Sequence, residues 1–300
     1  MKKLSSSQIK YWYRKYIPEK IRNILTKLIP FSLKLRYFYF QTKKFDFEVQ
    51  GHGESKKLLQ LCEELNINSG SYVDIGASDG WTSSATFPFA KNDNFSGLSI
   101  ELDNKKFKKM EFIYRKFNNA YLSKSKVSPE NVTEILKKFD VLYDFDILNL
   151  DIDSYDLFVI KKLLESHKPK IVSMEINEKI PPPLFFTVTY DDKHFWKGDH
   201  FFGCSLQAAY DEVSKFGYRL YTLIYNNAIF ISDDIKINVP DRTLTQIYND
   251  GYVNKPDRKE KFSYNYDVDV LLKINPSDSI EFIDNLFKDY QGKYQLELRD

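Results

Sequence analysis

Histidine and cysteine are scarce in this 300-residue chain, which has four His and two Cys. Cys62 and Cys204 show no metal-type spacing, and the His residues (His52, His167, His194, His200) do not cluster at ligand spacing. A zinc site built from these residues and a disulfide framework are both excluded as readings. No apolar run approaches the roughly 20 residues needed to span a bilayer. No short apolar stretch followed by a small-residue cleavage site reads as a leader, so a cytoplasmic protein is expected. There are no internal repeats and no low-complexity tracts. A dominant charge sign is also absent, with 44 Lys and Arg against 42 Asp and Glu.

That balance hides an asymmetry. Residues 1–44 hold twelve Lys and Arg against the single acid Glu19, interleaved with aromatics such as Trp12, Tyr16, Tyr37 and Phe40. Ile17, Ile21, Ile24, Leu25 and Leu28 recur at helical spacing near Pro18 and Pro30. Two readings stay open. Such a segment can dock on an acidic domain, its own or that of a second copy in a homo-oligomer, or it can lie peripherally on an anionic membrane. No nucleic-acid-binding motif accompanies it, so no nucleic-acid partner is expected.

The most informative stretch is Ser71-Tyr-Val-Asp-Ile-Gly-Ala-Ser-Asp-Gly80. A β-branched run ends at Asp74, two glycines follow at Gly76 and Gly80, and a helix is expected over 81–91. Strand, glycine turn and helix form the element with which α/β sheets bring a backbone loop to a nucleotide-like ligand. The next apolar run, Phe95–Ile100, ends in Glu101, where an acid at the end of the second strand can take both ribose hydroxyls. A dinucleotide loop reads G-x-G-x-x-G and makes room for a pyrophosphate. Here the loop is the shorter G-x-S-x-G, and Asp74 would repel phosphate but suits a cationic ligand.

Alternating strand and helix patterns predict an α/β fold: a Rossmann-like, mainly parallel sheet with helices on both faces and an antiparallel C-terminal edge hairpin. Three regions are expected: a basic aromatic helical segment over 1–45, the α/β domain over 46–235 and a C-terminal appendage over 236–300. Ser128-Pro129-Glu130 reads as a helix start, and Pro181 opens a long irregular insertion reaching about Phe202. Tyr218–Tyr225 and Ala228–Ser232 form the hairpin, with Asn226-Asn227 as the turn.

A second constellation lies at the carboxyl ends of two later strands, Asp151-Ile152-Asp153 and Glu175-Ile176-Asn177. Residues i and i+2 of a strand face one way, so Asp151, Asp153, Glu175 and Asn177 are expected to converge beside the glycine loop. Oxygen donors of this kind suit Mg²⁺ or Mn²⁺, or they share protons and supply a base. The insertion adds His194, Trp196 and His200. It is read as an acceptor lid, with His200 as candidate base and His194 as a lesser candidate.

Taken in order, Gly53-Glu54, Val73–Gly80, Ser99-Ile100-Glu101, Ser128–Asn131, Ile147–Asp153 and Glu175–Asn177 resemble the class I methyltransferases dependent on S-adenosylmethionine (SAM), closest to the FkbM-like group. The resemblance covers roughly residues 50–235. It implies that Glu54, Asp74, Gly76, Ala77, Ser78, Gly80, Glu101, Val127 and Asp151 shape the SAM site. It further implies that Asp151, Asp153, Glu175 and Asn177 hold a divalent cation, and that His200 and Asp153 serve catalysis. Ser154 stands where the family-like pattern has glycine. The implied reaction is transfer of a methyl group to a hydroxyl of a carbohydrate or nucleotide-sugar acceptor, as in bacterial polysaccharide biosynthesis. Two other readings remain at this point: a nicotinamide enzyme, and a non-catalytic partner-binding module on the same scaffold.

Overall fold

The computed structural model describes residues 52–299 apart from Ser83 and Pro240. The basic helical segment expected over 1–45 lies outside the described residues.

The strands are β1 (Gly70–Ile75), β2 (Phe95–Ile100), β3 (Ala120–Ser123), β4 (Ile147–Leu150), β5 (Ile171–Glu175), β6 (Leu184–Val188), β7 (Tyr218–Ile224), β8 (Asn227–Ser232) and β9 (Tyr294–Leu298). Seven of them form one sheet in the order β3-β2-β1-β4-β5-β8-β7. The first five are parallel, while β8 runs antiparallel between β5 and β7. This is the mainly parallel, Rossmann-like sheet with an antiparallel hairpin that the sequence pattern predicts. Strand order reverses at β1, whose neighbours are β2 and β4, so the ligand crevice of such a sheet lies beyond the carboxyl ends of β1, β2 and β4. The central strands are buried on both faces, as parallel strands covered on two sides must be: Val73, Ile75, Leu148, Leu150, Val172 and Met174 make one face apolar, while the other buries the polar Asp74, Asn149 and Ser173.

Several local expectations are corrected. The helix expected over 81–91 is reduced to the single turn Phe87–Ala90. The hydroxyls of Ser84 and Thr86 donate to Asp74, and Asp79 accepts from the amides of Trp81 and Thr82, so polar side chains hold residues 79–82 and 84–86 out of a helix. The helix after Ser128-Pro129 begins at Val132, because the Asn131 carboxamide accepts from Ser128 N and donates to Lys126 O, closing a turn first. The hairpin turn falls at Tyr225-Asn226, and Tyr225 takes the positive φ of 55°.

The insertion is not wholly irregular. Its β6 pairs antiparallel with β9 from the end of the described chain. The C-terminal region therefore closes over the insertion and shares its core. Phe186, fully buried, meets the rings of Phe287 at 5.4 Å and Tyr294 at 5.8 Å. Asn265 Nδ2 donates to Glu178 at 2.7 Å, and the Tyr248 hydroxyl donates to the Glu178 carbonyl, which clamps the same region onto the loop after β5.

Truncating Phe186 removes a ring shared by three segments. A buried Phe→Ala change costs about 3–5 kcal/mol, so Phe186→Ala should lower Tm by about 6 °C or more in a domain of this size. A shift below about 2 °C in a thermal melt would show that the β6–β9 layer is not part of the cooperative core.

Candidate active site

A cleft of about 790 Å³ opens beyond the carboxyl ends of the parallel strands. Its walls include Glu54, Gly76, Ser78, Glu101, Val127, Asp151, Asp153 and Glu175 of the residues singled out in the sequence. Five others, Asp74, Ala77, Gly80, Asn177 and His200, stand elsewhere.

Asp74 is fully buried and does not face the cleft. Its carboxylate accepts from Thr86 Oγ1 at 2.6 Å, Asn149 Nδ2 at 2.9 Å and Ser84 Oγ at 3.1 Å. Burial pushes its pKa up, against the pull of these three donors. Asp74 thus organises the loop from below the cleft. Gly80 is also structural: a Cβ there would stand 2.6 Å from Met110 and 2.9 Å from Tyr114, so the glycine admits the helix Asn104–Tyr114. Ala77 is buried, with its amide bonded to Ile100 O. Asn177 is buried, and its carboxamide holds the carbonyls of His200 and Phe202, so it props the insertion and does not join the acidic group.

Gly76 combines both roles. Its φ is +88°, and a Cβ would fall 1.7 Å from the carbonyl oxygen of Asp151. Only glycine lets the loop after β1 pass this close to the end of β4. Beyond it, Ser78 (φ 54°) turns its amide to Glu101 Oε2 at 2.9 Å, while Asp103 N donates to Oε1 at 2.6 Å. Both oxygens of Glu101 are fixed by backbone, yet each keeps a lone pair for a ligand hydroxyl. Burial pushes the Glu101 pKa up, against these bonds.

Opposite, ligand oxygens of Asp151, Asp153 and Glu175 lie within 4.8 Å of one another. They do not converge by strand alternation as expected, since β4 ends at Leu150. Asp153 sits at φ 53°, and Asp156 accepts from the amides of Ile152 and Ser154, both at 2.9 Å, which folds the loop back. Asn226 Nδ2 donates to Glu175 Oε1 at 2.7 Å from the β7–β8 turn. Burial, and then the neighbouring carboxylates, hold Asp151 and Glu175 well above the usual carboxylate range. Burial raises Asp153, and it pushes Asp156 up to about 6.

His200 does not face the cleft; its Nε2 lies 3.2 Å from Asp267 in the C-terminal region. His194 does face it, with Nδ1 2.7 Å from Ser154 Oγ, and burial lowers its pKa from 6.5. Two further wall residues carried no readable signal. His52 stacks on Phe262 at 4.8 Å, and Tyr264 arrives from the C-terminal region. Both depend on distant segments folding back, which no local pattern reveals.

No protein-family model and no curated protein matches the sequence. Among solved structures, the chain is similar to the N-terminal domain of EvdMO1 with SAH bound, at 11% identity over 60% of this chain and 80% of that one, with a TM-score of 0.39. It is similar to a SAM-dependent methyltransferase from Clostridium acetobutylicum, at 10% identity over 66% and 98% with a TM-score of 0.40. It is also similar to a methyltransferase from Geobacter sulfurreducens, at 12% identity over 77% and 98% with a TM-score of 0.39.

The acidic trio makes a stability prediction with a definite sign. Groups whose folded pKa is raised stabilise the fold below their unfolded pKa and lose that contribution as pH rises through the folded pKa. For Asp156 this window runs from 3.8 to about 6; for Asp151 and Glu175 it extends higher. Asp151→Asn should therefore raise Tm at pH 7.5 by about 2 °C or more, and the gain should shrink at pH 5. An equal or lower Tm at pH 7.5 would contradict the cost of burying Asp151 beside other carboxylates.

Proposed function

We propose that the chain is a SAM-dependent O-methyltransferase acting on a sugar hydroxyl, of a surface polysaccharide or its nucleotide-sugar precursor. The observation that carries this reading is the shared cleft: a backbone-pinned Glu101 on one wall, and a carboxylate trio with His194 on the other.

The wall chemistry fits SAM. Glu101 presents two oriented oxygens to a ribose, Ile100 and Val127 offer apolar surface for a flat base, and Gly76 and Glu54 bound the far end. The acid-rich walls favour a ligand that carries positive charge. The loop Gly76–Gly80 is one position shorter than the glycine loop that makes room for a pyrophosphate, which counts against a dinucleotide. SAM supplies an electrophilic methyl group when bound. The protein must then align an acceptor oxygen with it and remove that oxygen's proton.

His194 replaces His200 as the base in this reading. Ser154 Oγ lies 3.4 Å from the His194 carbonyl and 2.7 Å from Nδ1. With the hydroxyl proton on the carbonyl, Nδ1–H donates to Ser154 and the Nε2 lone pair is left free to accept a proton. The lowered pKa keeps the imidazole neutral near pH 7. Asp151, Asp153 and Glu175 are three close oxygen donors with no Cys or His among them, which fits Mg²⁺ or Mn²⁺. A cation held there would lower the pKa of a bound hydroxyl.

Three outcomes are expected. Glu101→Ala should weaken binding of S-adenosylhomocysteine (SAH) by about tenfold to a hundredfold, the worth of charge-assisted hydrogen bonds; unchanged calorimetric affinity would remove Glu101 from the site. In a labelled-methyl transfer assay on a sugar panel, His194→Ala should lower kcat by about 10²–10⁴, while His200→Ala stays within about threefold. The reverse order would reinstate His200. Activity should fall in EDTA and return with Mg²⁺ or Mn²⁺, and the same ions should raise the Tm of the wild type more than that of Asp151→Asn. Full activity in EDTA with no thermal shift would leave the trio as a proton-sharing group without metal.

A further inference from the structure

Four large apolar side chains stand exposed around the mouth of the cleft, from three separate segments: Leu102 (58%), Phe195 (67%), Trp196 (42%) and Tyr264 (53%). Scattered exposed apolar residues need no explanation, but a group gathered around one opening marks a contact surface. The centre of the group is the run Lys193-His194-Phe195-Trp196-Lys197.

The run is held in place. His194 is bonded to Ser154, Trp196 Nε1 donates to Asp199 O at 2.7 Å, and the neighbouring Asp192 pairs with Lys126 at 2.6 Å. The Trp196 ring lies edge-on to Phe202 at 5.8 Å. The aromatic pair is thus presented outward by specific bonds. Among the described residues, neither Lys193 nor Lys197 has a carboxylate within ion-pair distance, and the Lys197 ammonium lies 5.4 Å from the Tyr290 ring centroid.

The composition discriminates between partners. Protein–protein interface cores are enriched in aromatics but depleted in Lys. Asp191, Asp192 and Asp199 lie in the same stretch as the two lysines, so the outward aromatic pair and not net charge selects the partner: rings sit at headgroup depth at a membrane interface, with Lys193 and Lys197 placed to meet lipid phosphates. The basic, aromatic residues 1–44 supply charge of the same sense in the same chain. Among the described residues no helix is long and apolar enough to cross a membrane, so contact would be peripheral.

We propose that the Lys193–Lys197 run, with Leu102 and Tyr264 across the opening, seats the mouth of the cleft on an anionic lipid surface. If the methyltransferase reading holds, on which this last step rests, the acceptor sugar is then one carried by a lipid, its saccharide in the cleft and its apolar part in the bilayer.

The full chain is tested against phosphatidylcholine vesicles with and without phosphatidylglycerol, and with brominated acyl chains as a depth-sensitive quencher of Trp fluorescence. The chain has three Trp residues, Trp12, Trp81 and Trp196, and Trp81 is buried. In the Trp12→Phe protein, vesicles should quench emission, and adding Trp196→Phe should abolish most of that quenching. Leu102→Ser with Phe195→Ser should lower partitioning about tenfold. Lys193→Gln with Lys197→Gln should lower it about threefold on anionic vesicles only, and salt should do the same. Vesicle binding with Trp196 unquenched would assign contact to residues outside this surface and overturn the proposal, as would no binding at all. SAH titration of the same preparations separates the two readings. Quenching of Trp196 without SAH binding keeps the lipid surface and removes the methyltransferase; SAH binding with Trp196 unquenched does the opposite.

Discussion

A carboxylate shut away from water, Asp74, is the constraint from which the cleft is built. Three donors from two other segments converge on it: Ser84 and Thr86 from the loop and Asn149 from β4. Burying a charge unpaired is prohibitive, and leaving any one donor unmatched is costly. The loop after β1 must therefore fold back over its own strand end. That closure seats Gly76 against the Asp151 carbonyl and turns Ser78 N onto Glu101. The two chemical walls of the cleft are in this way set by one network below it.

The sheet was legible in the sequence because its strands are short apolar runs ending in acids, separated by helical periods. The strand-end residues Glu101, Asp151 and Glu175 were legible for the same reason: a strand end in an open parallel sheet points to the crevice whatever the loops do. Residues whose place depends on loops were not. Asp74 reads as a ligand contact by type, but the hydroxyls that claim it lie ten and twelve residues on, in what reads as a helix. Gly80 reads as a ligand glycine, and the packing of Met110 and Tyr114 against it explains it instead. His200 and His194 are six residues apart on one irregular stretch, where no period says which side chain turns inward. The β6–β9 pairing joins residues more than a hundred apart, beyond the reach of local pattern.

The cleft carries an electrostatic load that the fold tolerates without needing it. Burial raises the pKa values of Asp151, Asp153 and Glu175, and neighbouring carboxylates raise those of Asp151 and Glu175 further. Groups held in this unfavourable state are characteristic of sites that await a cation or a proton. The surrounding loop is held by hydrogen bonds through Asp156, Asn226 and Ser154.

Whether this cleft takes the SAM skeleton is decided by calorimetric titration of the 300-residue chain with SAH, beside an identical titration with NAD⁺. A SAM-type cleft gives saturable one-site binding of SAH and no heat from NAD⁺. Saturable binding of NAD⁺, or a folded protein that gives no heat with SAH, would contradict it.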